Sequence, residues 1–228
     1  QGQDILIDKE SFKLGSRFCN KVWNASRYLL GNLDGRSLVP VTDSDLTELD
    51  KWIYGCLNRA VKTVRESLES YRYNDAASAI MEYFWNEFCD WYVEATKINF
   101  KNGDDAEKDR QASVLLNLLE ENLRLLHPYL PFVTEEIYSK LPVAEIVENR
   151  KKAGKNKILS NSEYCGMLIN APFPEVSASR EDSDVEKRFD VLKDLIGKVR
   201  ALRTECGLDP ASKINIAVLI EKGSAAEV

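Results

Sequence analysis

The strongest constraint on this chain is an apolar residue at every third or fourth position, sustained through several separate stretches. Between Ser11 and Leu33, the residues Phe18, Val22, Ala25, Leu29 and Leu33 keep this spacing. At about 100° per residue they fall within roughly an 80° arc, which is a helical stripe. Leu46, Leu49, Ile53, Leu57, Ala60, Val64 and Leu68 carry the same stripe along a second segment. A third, from Asn74 to Phe100, is apolar over about half its circumference through Ala77, Met81, Phe84, Trp85, Phe88, Trp91, Tyr92 and Ala95. A fourth, Ala106 to Leu126, carries Val114, Leu115, Leu118, Leu119 and Leu125, and a short fifth runs through Thr134 to Leu141. Strands repeat every second residue and cannot satisfy this period. A mainly α fold, an antiparallel helix bundle, is therefore expected.

The breaks between stripes are chemical. Gly31 and Asp34-Gly35 close the first helix, and Pro40 keeps the connection extended. Thr42, Asp43, Ser44 and Asp45 supply short oxygen side chains to cap the second. Asn102-Gly103-Asp104 and the Pro128/Pro131 pair end the third and fourth. Beyond Pro142 the character changes. Val143 to Val147 add a helical turn or two, and residues 150–157 are expected to form an exposed basic loop. Gly166 to Asn170 reads as a short buried strand. Ser183-x-x-Glu186 is a capping box for a helix carrying Val185, Phe189, Leu192, Ile196 and Val199, ended at Gly207. Lys213 to Ile220 reads as a second strand. The expected organisation is a connector over 1–10, the helix bundle over 11–142, and a small C-terminal α+β unit over 143–228.

Composition then excludes function classes. Thirty-one Lys and Arg against 37 Asp and Glu give a net charge of −6 over 228 residues, which argues against a non-specific polyanion binder. No apolar run approaches the roughly 20 residues that span a bilayer, and residues 1–10 lack the basic start of a signal peptide. Five cysteines, at 19, 56, 89, 165 and 206, are odd in number and form no C-x-x-C pair, as suits free thiols in a reducing cytoplasm. The single histidine, His127, has no cysteine near it, so no metal site is expected. Its place just before the helix-breaking Pro128 and Pro131 suggests a helix end, with the imidazole on a freed carbonyl. Cysteine-based nucleophilic catalysis has no support beyond composition, and no Gly-rich phosphate cradle exists. The chain starts at Gln1 rather than Met and is expected to belong to something larger.

Charge placement says more than charge sum. Lys51, Arg59, Lys62 and Arg65, with Asn58 beside them, are expected to share one solvent face of the second helix. Cations at that spacing meet successive phosphates, and Asn and Arg also read base edges. Trp52, Tyr54, Tyr71 and Tyr73 offer stacking faces for unpaired bases. The plain alternative is a solvated helix surface with its aromatics tucked into the core. Glu87, Asp90 and Glu94 make the third helix acidic, a face phosphate avoids. Lys193, Lys198, Arg200 and Arg203 on the last helix point in scattered directions.

Longer motifs carry a resemblance. Phe18-Cys19-Asn20-Lys21-Val22-Trp23-Asn24-Ala25-Ser26-Arg27-Tyr28 resembles the opening of the anticodon-binding domain of valyl-tRNA synthetases. Asn86-Glu87-Phe88-Cys89-Asp90-Trp91-Tyr92-Val93-Glu94 is similar to that family's third helix. The stretch from Leu125 to Glu136 resembles the H-P-x-x-P-F-[IV]-T-E-E segment shared by class Ia synthetases. Ala171-Pro172-Phe173-Pro174 and Val199-Arg200-Ala201-Leu202-Arg203 fit as well. The resemblance covers nearly the whole chain; isoleucyl- and leucyl-type synthetases are the nearest alternatives.

The resemblance implies a bundle that receives the anticodon stem-loop of valine tRNA within a multidomain, ATP-dependent ligase. It implies ATP and magnesium in the parent enzyme and no cofactor in this fragment. The H-I-G-H and K-M-S-K-S signatures, the editing domain and the C-terminal coiled coil are absent, so the fragment alone is expected to be inactive. A monomer docked to the remaining synthetase domains is expected. Charge projection and family placement together put RNA contact first on Arg59 and Lys62, then on Asn58, Lys51 and Arg65, with Arg27, Arg200 and Arg203 secondary. A competing reading is a structural module that docks other domains without touching RNA.

Overall fold

Helix α1 (Lys9–Leu33) and helix α2 (Glu48–Glu69) follow their apolar stripes, burying Phe18, Val22 and Leu29 on α1 and Ile53, Leu57, Val61 and Val64 on α2. The computed structural model describes residues 9–33, 35–209, 212–215 and 217. The start of α2 lies past the predicted cap cluster. Residues Asp43–Asp45 instead form a 3-10 turn, in which Asp45 accepts from the Thr42 amide at 2.7 Å. Thr47 caps α2, its hydroxyl accepting from the Asp50 amide at 3.2 Å while Asp50 accepts from the Thr47 amide at 2.9 Å. Asp50 is buried and also accepts from the Tyr92 hydroxyl at 2.6 Å and from Arg110 at 2.9 Å. One carboxylate thus fixes a helix start and two neighbouring elements.

The expected third helix consists of three consecutive stretches: α3 (Tyr73–Glu82), a π-helical stretch (Tyr83–Val93) and α4 (Glu94–Asn102). Phe84, Phe88 and Tyr92 stand four apart and form one buried column, Phe84 tilted against Phe88 at 5.1 Å and Phe88 stacked on Tyr92 at 6.3 Å. Helix α5 (Asp105–Leu126) is capped by Asp104, which accepts from the Glu107 amide at 2.8 Å. It packs against α1, α2, α4, α6 (Pro131–Tyr138) and α7 (Val143–Ala153), and every residue from Gln111 to Leu126 is buried. His127 ends α5, but its Nδ1 bonds the Thr134 hydroxyl at 2.8 Å rather than a freed carbonyl, and that hydroxyl donates to Leu130 O.

The segment after α7 departs from expectation. Residues 150–153 belong to α7 rather than to an exposed loop, and Arg150 is buried. The predicted buried strand over Gly166 to Asn170 contains instead a 3-10 turn (Leu168–Asn170), with Leu168 buried and Met167 and Ile169 exposed, and no strand lies beside it among the described residues. The Glu135 carboxylate holds it instead, accepting from the amides of Leu168 and Ile169 at 2.9 and 3.1 Å. No strand occurs among the described residues, so the α+β character expected after 143 is not seen there. The second predicted strand, Lys213 to Ile220, falls largely outside the described residues. The chain divides into two compact units, one up to Glu181 and one from Asp182. The first therefore includes α7 and the irregular segment after it; the second carries α8 (Ser183–Glu205), capped by Asp182, which accepts from the Val185 amide at 3.0 Å.

Helix α5 buries two adjacent carboxylates, Glu120 and Glu121. Glu120 accepts from Arg124 at 3.1 Å and from Arg150 at 2.8 Å; Glu121 receives both terminal nitrogens of Arg180 at 2.8 and 2.9 Å. Burial alone would lower the Arg180 pKa, but the charge and hydrogen bonds of Glu121 outweigh it and hold the guanidinium ionised. Removing one partner of a buried pair costs about 3–5 kcal/mol, since the other charge is left stranded. Arg180→Leu is therefore expected to lower unfolding stability by about that amount in urea titration. Lys152→Ala, which breaks only the exposed Lys152–Glu148 pair, should stay within about 0.5 kcal/mol of wild type.

Helix α2 ends in a Schellman motif. The Arg72 amide reaches Ser67 O at 2.8 Å and the Tyr71 amide reaches Leu68 O at 3.0 Å. Tyr71 occupies the position where glycine is usual, at φ +58°, with 79% of its surface exposed. A side chain there is strained and recovers little by packing. Tyr71→Gly is expected to raise stability by roughly 0.5–1 kcal/mol, read as a higher midpoint in thermal unfolding.

Candidate nucleic-acid interface

Side chains expected to form one cationic face on α2 are distributed among three roles. Lys62 is exposed and has no ion-pair partner among the described residues. Arg59 is exposed but lies 3.5 Å from Glu87 on the π-helical stretch and 3.3 Å from the Cys56 sulfur. Lys51 is half-buried. Arg65 is half-buried too: its Nε donates to Pro174 O at 2.9 Å, and its guanidinium lies 5.5 Å from the Phe173 ring centre. Asn58 is only 2% exposed, and its Oδ1 accepts from the Ser177 amide at 2.8 Å.

Two of the expected α2 side chains therefore do not stand on an open solvent face. Asn58 and Arg65 project about 120° and 100° from Leu46, on the flanks of the stripe rather than opposite it. There they bind the backbone of residues 174–177, an irregular stretch whose amides and carbonyls need side-chain partners. Trp52 and Tyr54 are also unavailable for stacking, because α2 is covered on more than one side and both rings are buried. Tyr71 and Tyr73 do remain exposed, edge to face at 6.5 Å. Arg200 is exposed in the second unit, and Arg203 there donates to Asp209 O at 2.6 Å and Ser212 O at 3.0 Å, which closes the end of α8.

The strongest positive element is α1. It holds five basic residues, Lys9, Lys13, Arg17, Lys21 and Arg27, against Glu10 alone, whereas α2 balances four of each sign. Arg17 and Arg27 are exposed and free of ion pairs among the described residues. Lys21 reaches Asp90 at 2.6 Å and lies 5.3 Å from the Trp85 ring centre. The Lys97 ammonium lies 5.2 Å from the Tyr28 ring centre, beside α1. The expected acidic face of the third helix is partly neutralised, Asp90 by α1 and Glu87 by α2. Counting charge by helix, rather than seeking a single aligned face, would have found α1 in the sequence.

Besides a cleft of about 260 Å³ against Arg59, Glu82 and Glu87, two more are formed by described residues. One, of about 480 Å³, lies over Glu121, Arg124 and Arg180 and is walled by residues 156–162 and 172–180. Its guanidiniums are committed: besides their carboxylates, Arg124 donates to Pro172 O at 3.0 Å and Arg180 to Ile158 O at 2.6 Å. The other, about 140 Å³ and apolar, lies between α1 and α6. Among the described residues no group of His, Cys, Asp and Glu is arranged to hold a metal ion, and no helix is long and apolar enough to cross a membrane.

The thiols do not form a nucleophilic site. Burial pushes the Cys89 pKa up to about 12, against which the nearby Lys21 charge is the lesser influence. Above the ordinary thiol pKa of 9.0, Cys89 ionises only in the unfolded chain, so its contribution to stability falls as pH rises from there towards 12. Cys165 and Cys206 are exposed. Alkylation by iodoacetamide at pH 8, followed by peptide mass mapping, should label Cys165 and Cys206 first. Cys56 and Cys89 should react only after denaturant is added.

Comparison with known proteins follows the same lines. Residues 50–218 match the model of the anticodon-binding domain of tRNA ligase. A valine-tRNA ligase of Treponema denticola is 56% identical over 231 residues, covering 100% of this chain and 24% of that protein. One from Treponema pallidum is 51% identical, over 95% of this chain and 22% of its own length. One from Thermotoga maritima is 36% identical, over 96% and 22%. The chain thus spans about a quarter of the length of these relatives.

Proposed function

The chain belongs to the family of anticodon-binding domains of tRNA ligases, and from that premise we propose that it grips the anticodon stem-loop of valine tRNA for a longer valine-tRNA ligase. Valine is the amino acid in the names of relatives aligned over nearly all of this chain. The observation that carries the reading is the concentration of cations on α1, five against one acid, in a chain of net charge −6. Folded RNA presents phosphate at a defined place, so a local excess serves it where a broad positive field would bind any polyanion.

Arg17 and Arg27 on α1, with Lys62 and Arg59 on α2, are the residues proposed to meet phosphate in the first unit. Lys51 is a lesser contact. Arg65 acts through the Pro174 backbone that it holds, and Asn58 through Ser177. Arg200 and Arg203 are proposed as contacts made by the second unit. The longer protein would activate valine with ATP and magnesium and transfer it to the tRNA terminus. The residues here fit no part of that chemistry: they offer no Gly-rich phosphate loop, and no metal cluster among those described. This chain's part is differential affinity for the correct tRNA, which holds the acceptor end over a distant active site. It would act as a monomeric domain of a cytoplasmic enzyme, docked to the remaining synthetase domains.

The test is titration of this chain with a fluorescent anticodon stem-loop of valine tRNA across a salt series. Wild type should bind with a negative log–log salt slope, and each phosphate-meeting cation removed should reduce that slope by about one. Arg59→Glu with Lys62→Glu, and Arg17→Glu with Arg27→Glu, should each weaken binding at least tenfold at roughly 0.1 M salt. Exchanging the middle anticodon base should cost a further 1–3 kcal/mol, by the usual scale of about that much per wrong base. Salt-independent binding, or equal affinity for the exchanged loop, would refute the reading.

A further inference from the structure

We propose that the polar cleft over Glu121, Arg124 and Arg180 binds a phosphate group, held by the Lys157 ammonium and the Ser160 and Ser162 hydroxyls beside a buried excess of positive charge. The site shares no residue with the cations of α1 and α2 proposed to meet RNA.

Five charged side chains are buried at or behind this cleft: Arg124, Arg150 and Arg180 against Glu120 and Glu121, none more than 6% exposed. Their hydrogen bonds pair off, but three guanidiniums against two carboxylates leave one positive charge unmatched in the interior. Arginine does not escape by losing its proton, and a charge withdrawn from water is costly until something answers it. Two further acids belong to the same region. Glu175 is exposed, and Asp43 is half-buried and accepts from the amides of Lys157 and Ile158 at 2.6 and 3.0 Å. Water screens both more than it screens the buried five. The cleft, about 480 Å³ and lined by Arg124 and Arg180, falls in the size range of small-ligand pockets. An anion in it supplies the counter-charge that the interior lacks.

Hydroxyls supply the second, independent observation. Ser160 Oγ accepts from Arg124 at 2.9 Å and from the Ser162 amide at 3.3 Å. Both of its lone pairs are thereby engaged, and its hydrogen has no acceptor among the described residues. Ser162 Oγ accepts from the Tyr164 amide at 3.4 Å and donates to nothing there either. Ser177, by contrast, donates to Lys157 O at 3.1 Å. The Lys157 side chain is exposed and has no partner among the described residues, and Lys157, Ser160 and Ser162 all line the cleft. Unused donors beside a positive field call for a ligand rich in acceptor oxygens. Phosphate offers several of them and about two negative charges near neutral pH, and its bonds to such donors are charge-assisted. A free phosphate compound and an RNA backbone both present this group, and the test separates them.

Inorganic phosphate is titrated into this chain at constant ionic strength, against sodium chloride, with the thermal midpoint and the phosphorus NMR line width as readouts. Wild type should show a saturable rise in midpoint that chloride does not give. Lys157→Ala removes a side chain without partners, so its midpoint in chloride should equal that of wild type while its phosphate affinity falls a few-fold. Ser160→Ala should lose about tenfold, and Ser160→Thr, which keeps the hydroxyl, should recover it. Glu175→Gln withdraws the lining acid that opposes an anion and should tighten binding a few-fold. The anticodon stem-loop is then added. If its backbone supplies the phosphate, Lys157→Ala lowers the log–log salt slope by about one and inorganic phosphate competes with the hairpin. If a free compound is the ligand, the slope stays and the hairpin is indifferent to phosphate at fixed ionic strength. The site is overturned, however the hairpin behaves, if phosphate acts no differently from chloride. It is overturned equally if Lys157→Ala, Ser160→Ala and Glu175→Gln all respond to phosphate as wild type does.

Discussion

Glu120 and Glu121, side by side on the central helix and both buried, impose the arrangement of most of what surrounds them. Adjacent residues on a helix point about 100° apart, so no single cation can answer both. Glu120 therefore takes Arg124 from its own helix and Arg150 from α7, and Glu121 takes Arg180 from the irregular segment. The chain reaches Arg180 only by laying residues 154–180 across the bundle, and the Arg180 guanidinium then lies 5.1 Å from the Tyr54 ring centre of α2. Hydrophobic burial would tolerate many positions for α7 and that segment. Two buried carboxylates tolerate one.

Laying down a stretch without regular structure leaves its amides and carbonyls to be satisfied by side chains. The bundle supplies them: Asp43 accepts from the amides of Lys157 and Ile158, Glu135 from Leu168 and Ile169, and Asn58 from Ser177, while Arg65 and Arg124 donate to Pro174 and Pro172. This accounts for the fate of the α2 polar residues. A polar side chain projecting from a helix flank has two possible employers, solvent-borne ligand or neighbouring backbone, and the spacing alone does not separate them. Asn58 and Arg65 serve the backbone; Lys62, farther round the helix, does not.

What was legible in the sequence follows the same physics. Periodic burial is written locally, so α5 was expected from Ala106 to Leu126 and runs from Asp105 to Leu126, and α1 and α2 kept their stripes. The π-helical winding of 83–93 was not legible, since a spacing of four suits either winding. Arg150 read as part of an exposed basic loop because its partner Glu120 lies 30 residues away. Gly166 to Asn170 had a strand's apolar run, but no strand pairs with it among the described residues. For Trp52 and Tyr54 the sequence left a stacking face and a place in the core both open, because a stripe reports one packed face, while α2 has several neighbours. The excess of cations on α1 was legible by simple counting, but an aligned face on α2 drew attention first.

The acids of the third helix give the net charge its meaning. Asp90 and Glu87 do not merely repel phosphate; they stand within ion-pair distance of Lys21 on α1 and Arg59 on α2. An anion approaching either cation competes with a carboxylate already in place, and gains only the difference between the two interactions. Random polyanion gains little from such an exchange, whereas a ligand that engages Arg17, Arg27 and Lys62, unpaired among the described residues, gains from every contact at once. Specificity is a difference of affinities, and a resident competitor lowers the weaker one proportionately more. An acidic chain in a family of anticodon-binding domains is thus no contradiction: in the proposed mode, its negative surplus confines binding to an RNA shaped to reach several separated cations together.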